Sequence, residues 1–207
     1  MALQNYENLN EMHMGVLTEI CNIGSGNAAT AISQMFGLTL NIDVPGVGII
    51  DINEAIQRLG GADVIRAGLL LPIQEDLNGM IMFLFTHEFA GILLKAVMGT
   101  ELNSFEELDE MGLSMMNEVA NIAAGSFVKS IADMVGMRID ISPPASTIDM
   151  VGAIMNVPAV YFANISESIL LIENSFDCGG VKADANVILM LEIDSLERLL
   201  TKLGIEI

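Results

Sequence analysis

The chain repeats itself at an offset of ninety-nine residues. Residues 19–45 read EICNIGSGNAATAISQMFGLTLNIDVP, and residues 118–144 read EVANIAAGSFVKSIADMVGMRIDISPP. The windows are identical at Glu19/Glu118, Asn22/Asn121, Ile23/Ile122, Gly26/Gly125, Ile32/Ile131, Met35/Met134, Gly37/Gly136, Ile42/Ile141 and Pro45/Pro144. Each half must therefore build the same supersecondary unit, which restricts the chain to folds with pseudo-twofold symmetry. A duplicated scaffold accounts for the apolar and glycine matches. It does not account for Glu and Asn, because a solvated helix face tolerates many polar residues. Two copies of one polar pair on one scaffold point to two copies of one site.

The order of elements is the same in both halves. Apolar residues Met12, Val16, Ile20 and Ile23, with Asn27, recur at spacings of three and four, which predicts a helix over about 9–35 with these residues as its core stripe. Gly37 stands where a helix terminator belongs. Leu38, Leu40, Ile42 and Val44 then alternate with Thr39, Asn41 and Asp43, a half-buried strand closed by Pro45-Gly46. Further strands are expected near 47–52, 65–72 and 79–85, and a short helix over 88–98 ending at Gly99. The second half predicts a helix over 105–134 ended by Gly136, alternation at 137–142, strands near 159–165, 168–173 and 186–193, and a last helix over 195–204. Gly99 and Gly204 are 105 residues apart, so the second half carries about six extra residues, expected in the polar, Gly-rich stretch 174–183. The expected fold is α+β: an internal duplication with two long helices and a largely antiparallel sheet. It is read as one domain over 1–207, with repeats at about 8–100 and about 105–205 and no Pro/Ser-rich linker between them.

The charge balance narrows the partners. Eight basic residues against twenty-seven acidic ones give a formal net charge of −19. Nucleic acid and anionic membranes are captured by clustered Lys and Arg, so neither is an expected partner. A protein with a basic surface is, although the charge would also serve solubility alone. No run approaches the roughly 18 apolar residues of a spanning helix, and the N-terminus does not read as a secretory signal. Cys21 and Cys178 form no CxxC motif, and Cys21 has Ala120 as its repeat partner. It reads as a small core residue of a protein expected in the reducing cytoplasm.

Glu19 and Asn22 project from one side of their helix. Gly15 and Gly26 extend that stripe by a turn each way, and the four positions fall within roughly 60° at about 100° per residue. The second copy of the stripe is Ser114, Glu118, Asn121 and Gly125. Glu-x-x-Asn offers no strong nucleophile and no general base, since a carboxamide does not titrate. Asn can hold a water through its carbonyl oxygen while donating from its NH₂. That is useful in phosphoryl transfer, where orienting an attacking water supplies much of the catalysis. The phosphoryl group and its metal would then belong to a partner. Gly26 and Gly125 leave room for a partner backbone beside each Asn, or else let the two long helices pack closely together.

The pattern Asp/Ser-x3-Glu-x2-Asn-x22-Pro resembles the phosphatase signature of the CheC/CheX/FliY family of bacterial chemotaxis. Ser114, Glu118, Asn121 and Pro144 fit it in full. Glu19, Asn22 and Pro45 fit it too, with Gly15 where the pattern has Asp or Ser. Two tandem copies with little outside them resemble the CheC members, rather than the one-site CheX or the FliY proteins with an added flagellar-switch domain. The resemblance implies a substrate, the phosphorylated receiver protein CheY, with Mg²⁺ held by that receiver and no metal or other cofactor held by this chain. It implies that Asn22 and Asn121 position the hydrolytic water and that Glu19 and Glu118 anchor the receiver's active-site Lys. Ser114 would support its helix or the docking surface, and Pro45 and Pro144 would shape the sites. It also implies a second partner, the receptor deamidase CheD. The stretch 146–155, with Asp149 among apolar residues, is a candidate surface for it, or else a buried helix with one solvated Asp. The alternative reading is a non-catalytic adaptor that binds phosphorylated CheY or CheD without turnover.

Other motifs carry less. Residues 24–29 satisfy a loose G-x-G-x-x-A dinucleotide pattern, but no strand precedes it and the second copy drops it. His13 and His87 lack metal-ligand spacing. Ser25 is not in a G-x-S-x-G elbow. Most of the fifteen Met residues are expected to fill the core.

Overall fold

The structure is a computed structural model and describes residues 3, 5–37, 39–162, 168–178 and 181–205, without the side chains of Pro45 and Phe162. It is α+β. In chain order the elements are α1 (Glu11–Phe36), β1 (Leu40–Asp51), α2 (Ile52–Arg58), β2 (Ile65–Glu75), β3 (Gly79–Phe85), α3 (His87–Met98), α4 (Glu110–Val135), β4 (Ile139–Ile141), β5 (Ala145–Met150), α5 (Val151–Phe162), β6 (Ser168–Cys178), β7 (Val181–Leu191) and α6 (Ile193–Lys202). A 3₁₀ turn precedes each long helix, at Tyr6–Asn8 and at Phe105–Glu107.

The strands form one antiparallel sheet in the order β1-β6-β7-β3-β2-β4, with β5 also on β2. This order reads the same from either edge once β1 is equated with β4 plus β5, β6 with β2, and β7 with β3. The pseudo-twofold axis thus passes between β3 and β7, where Gly79 pairs with Leu191 and Phe85 with Ala185. The register locates the extra residues of the second half. Asp51 pairs with Ser168, while Met150, ninety-nine residues beyond Asp51, pairs with Ile65, so the offset has already risen to 168 − 65 = 103 at β6. Four of the six extra residues therefore enter before β6, where α5 has twelve residues against seven in α2. The expected stretch 174–183, of which 179 and 180 lie outside the described residues, holds no more than the remainder.

Two layers of helix cover the sheet. α1, α3, α4 and α6 pack on one face against Leu69, Leu71, Ile81, Phe83, Phe85 and their neighbours. α2 and α5 pack on the other against Met80, Met82, Leu84 and Ile188. Burial on both faces is why β3 reads as an unbroken apolar run rather than an alternation: all seven of its residues are buried.

The long helices begin and end where local chemistry dictates. Asn10 caps α1 by accepting from the His13 N–H, and Asp109 caps α4 by accepting from the Gly112 N–H (2.8 Å). Both end in a left-handed glycine, Gly37 and Gly136, each at φ 66°. The caps set the starts at Glu11 and Glu110, later than the predicted 9 and 105. The core stripe of α1 is rotated from the predicted one. Met12 is 66% exposed and Asn27 is exposed, whereas His13, Leu17, Ile20, Cys21, Gly24, Ser25 and Ala28 are buried. Cys21 is fully buried, and burial pushes its thiol up to about 12.

Three strand predictions are corrected. Pro45-Gly46 does not close a strand: β1 runs on to Asp51, and its ladder with β6 shifts register between Asp43 and Gly46. A bulge tolerates proline because the residue it leaves unpaired needs no N–H. Leu38 lies outside the described residues. The strand expected to run to 52 ends at Asp51, whose carboxylate caps an unpredicted helix, α2, by accepting from the Glu54 N–H (2.9 Å). Residues 159–162 belong to helix α5, because Val151, Ile154, Met155 and Pro158 at helical spacing are buried there. Residues 163–165 of that predicted strand lie outside the described residues.

Between α1, α4 and the sheet, Ser25 Oγ and Asn174 Oδ1 are buried without a hydrogen-bond partner among the described residues and line a small cavity with Ala123 and Phe127. The second copy carries Ala124 at the position of Ser25, also fully buried. Ser25→Ala is therefore expected to raise stability by about 1 kcal/mol, from helix propensity and removal of an unpaired hydroxyl. Thermal unfolding of the variant checks this.

Candidate functional site

α1 and α4 place the repeated polar pairs on the side away from the sheet. Glu19, Asn22, Glu118 and Asn121 are all exposed, and so are Gly15 and Ser114 at the start of each stripe. The buried positions of each helix centre on the opposite side. Residues 17, 20, 24 and 28 of α1, and 116, 119, 123 and 127 of α4, face the core. None of the four side chains has a hydrogen bond or ion pair to another described residue, so each is available to an incoming surface.

The repeated glycines are open. A Cβ built on Gly26 would meet nothing within 4 Å, and one on Gly125 would meet only Ile141 Cδ1 at 3.9 Å. This excludes the helix-packing account of these two residues. The glycine that does serve packing is Gly24, where a Cβ would lie 2.5 Å from ring carbons of Phe127 on α4. The loose dinucleotide pattern at 24–29 is thereby explained as mid-helix packing, since no phosphate can reach backbone N–H groups that are bonded within α1. The prolines occupy equivalent places. Pro45 lies at the β1 bulge, before the Gly46–Glu173 pair, and Pro144 lies in the break between β4 and β5, before the equivalent Ala145–Leu70 pair.

Beyond Gly125 a groove of about 400 Å³ runs between the last turns of α4 and β4. Lys129, Asp133, Arg138, Asp140 and Glu75 line it. Sequence reasoning missed this feature, because the five residues come from three elements and no motif joins them. Among the described residues no group of three His, Cys, Asp or Glu side chains is placed to hold a metal ion. His13 Nδ1 accepts from the Asn10 N–H, and His87 Nε2 lies 2.9 Å from the Leu102 carbonyl. No described helix is long and apolar enough to cross a membrane. Asp149 is exposed on β5, opposite Arg66 of β2, and not in a helix. The α5 helix that follows leaves Val157, Val160 and Tyr161 more than half exposed.

The sequence model of the CheC-like family matches two separate segments, residues 12–49 and 111–148. Each segment contains one Glu-x-x-Asn pair, its glycine and its proline. Over these two segments the chain is similar to the CheC-like family. It is 28% identical over 203 residues to the CheY-P phosphatase CheC of Bacillus subtilis, covering 96% of this chain and 97% of that one. In fold it is similar to FliY of Thermotoga maritima, with a TM-score of 0.76 at 22% identity over 95% of this chain and 98% of that one. It is similar also to the FliM middle domain of H. pylori, with a TM-score of 0.70 at 12% identity over 94% and 99%. This fold thus accommodates wide sequence divergence, and what the family match singles out in this chain is the pair of helix–strand segments that carry Glu and Asn.

Proposed function

We propose that this chain hydrolyses the aspartyl-phosphate of phosphorylated CheY, once at each of its two Glu-x-x-Asn faces. The observation that carries the reading is the pair of Glu and Asn side chains exposed at the same positions of both repeats, each one turn from an open glycine. The naming of a relative matched along nearly its whole length as a CheY-P phosphatase supports it.

In this reading Asn22 or Asn121 enters the receiver's active centre. Its carboxamide oxygen accepts a hydrogen bond from a water and aims it at phosphorus, opposite the aspartyl oxygen. The water oxygen bonds to phosphorus, the bond from phosphorus to the aspartyl oxygen breaks, and the receiver carboxylate and inorganic phosphate leave. Mg²⁺ and Lys of the receiver carry the developing charge. Glu19 or Glu118 pairs with that Lys and sets the docking angle. Gly26 and Gly125 let the receiver backbone approach, and Ser114 gives the second face the hydroxyl that Gly15 denies the first. The second face is therefore expected to be at least as active as the first.

The direct test follows the decay of phosphorylated CheY with and without the chain. Accelerated release of phosphate is expected. Binding without acceleration would leave the adaptor reading instead. CheD is the second proposed partner, docking where exposed Asp149 adjoins the apolar face of α5. Titration of CheD against the chain and its Asp149→Ala variant checks that contact.

The open glycines yield a further prediction. Gly26→Ala and Gly125→Ala are each expected to raise stability by about 0.5–1 kcal/mol, since helix propensity favours Ala and nothing obstructs the methyl group. Both are expected to slow CheY dephosphorylation by crowding the approach. Melting and activity measured on the same samples check this opposition.

A further inference from the structure

The two faces carry the same Glu and Asn but stand in different electrostatic frames. The groove beside Gly125 is lined by five charged residues, all exposed. Each has an uncharged counterpart at the first face: Lys129 answers to Thr30, Asp133 to Gln34, Arg138 to Thr39 and Asp140 to Asn41 at the offset of 99, and Glu75 to Cys178, which β6 brings beside β1, at the β2/β6 offset of 103. Thr30 even turns its hydroxyl back onto the Gly26 carbonyl (2.8 Å).

Within the groove the cations are not equivalent. Lys129 is held by Asp133 at 2.9 Å along the helix. Arg138 is anchored through its backbone, which exchanges hydrogen bonds with Asp76: the Arg138 N–H donates to Asp76 Oδ2 (2.8 Å), and the Asp76 N–H donates to the Arg138 carbonyl (2.9 Å). Its guanidinium has no ion-pair or hydrogen-bond partner among the described residues. Glu75, across the groove, is the one described non-glycine residue with positive φ (81°). It ends β2 at the turn into β3, and the conformation costs about 1 kcal/mol or more. Its counterpart Cys178 is not so strained.

We propose that this groove makes the second site charge-selective: it engages a receiver whose surface beside the phospho-aspartate carries a carboxylate facing Arg138, while the first site accepts receivers without that requirement. The inference rests on the receiver-phosphatase reading above. The groove begins at Gly125, one turn beyond Asn121, and its charged residues begin at Lys129, two turns beyond, so in this proposal a receiver seated on Asn121 extends over it. An unpartnered guanidinium on a fixed backbone offers two parallel N–H donors to a carboxylate. A charge at the rim of an interface acts on encounter and affinity rather than on the chemical step, so the effect belongs in KM.

The test uses the full chain in two backgrounds, Asn22→Ala to leave the second site and Asn121→Ala to leave the first. CheY phosphorylated with acetyl phosphate is the substrate. With the second site alone, Arg138→Thr is expected to raise KM by about 3- to 10-fold, with kcat within about twofold, and to flatten the salt dependence of KM; Arg138→Lys is expected to recover part of the loss. With the first site alone, the same substitutions leave both constants unchanged, which also shows that the variants fold. An unchanged KM at the second site, or an equal rise at both sites, overturns the selectivity proposal while the phosphatase reading stands. If neither single-site background accelerates phosphate release, the phosphatase reading fails and the selectivity proposal with it.

Discussion

The double variant Asn22→Ala/Asn121→Ala is expected to leave phosphorylated CheY decaying at the rate it has alone. The added turnover should fall by about 100-fold or more, the scale seen when a positioned polar group is removed from a reacting centre. The fold should be untouched, because both side chains are exposed and without hydrogen bonds to described residues, and Ala is the better helix former. Each single variant retains the other face, and the loss is expected to be larger for Asn121→Ala, since Ser114 completes the second stripe while Gly15 leaves the first incomplete. The kinetic constants separate the roles. Removing Asn takes away a contact made to the attacking water, which lowers kcat at nearly constant KM. Glu19→Ala and Glu118→Ala take away an anchor that acts before and during reaction, which raises KM. Full activity in both single variants and in the double variant would refute the assignment of the Asn residues.

What the sequence made legible and what it hid have a common physical cause. The Glu-x-x-Asn pair could be read because duplication supplied a control. A polar pair on one solvated helix carries no message, but the same pair at the same offset as the core positions does. The core stripe of α1 was misplaced because the buried side is made largely of small residues, Cys21, Gly24, Ser25, Ala28 and Ala29, which carry little hydrophobic signal. Met12, strongly apolar and largely exposed, supplied a false one. Burial there follows from helix-on-helix contact, which needs small side chains rather than greasy ones. α2 went unread because its seven residues follow directly on the apolar run of β1, and a single carboxylate, Asp51, decides where strand becomes helix. α5 was split because Val, Tyr and Phe favour strands and Pro158 argues against a helix interior. The burial of Val151, Ile154 and Met155 against the sheet, with Pro158 buried as well, outweighs both tendencies. The groove at Arg138 was invisible for a different reason. Its members are brought together by the β2–β4 pairing, a long-range contact that no local pattern announces.

Gly24 and Phe127 form the contact on which the relative placement of the two site helices depends, and they break the symmetry of the duplication. Phe127 is 1% exposed and its ring lies over Gly24, whereas the symmetry-related pair is Ala28 and Ala123. Phe127→Ala is expected to cost about 3–5 kcal/mol, because the cavity between α1, α4 and the sheet would enlarge with rigid neighbours around it. At roughly 2–4 °C per kcal/mol for a chain of this size, the melting temperature should fall by about 10 °C. Gly24→Ala is expected to cost about 1–3 kcal/mol despite the better helix propensity of Ala, since its methyl group would lie 2.5 Å from ring carbons of a buried side chain, which would have to shift. The double variant should lose less than the sum, because each change relieves the fault created by the other: the new methyl group partly fills the space left by the ring. A coupling of at least about 1 kcal/mol in the double-mutant cycle is the expected sign of that contact. Strict additivity, or a Gly24→Ala variant that melts higher than the parent, would mean that α1 and α4 do not meet through this pair. The contrast with Gly26, two positions along the same helix, is the sharper part of the test. Of two glycine-to-alanine changes two residues and about 200° apart on one helix, the one under the Phe127 ring should destabilise the chain, and the one open to solvent should stabilise it.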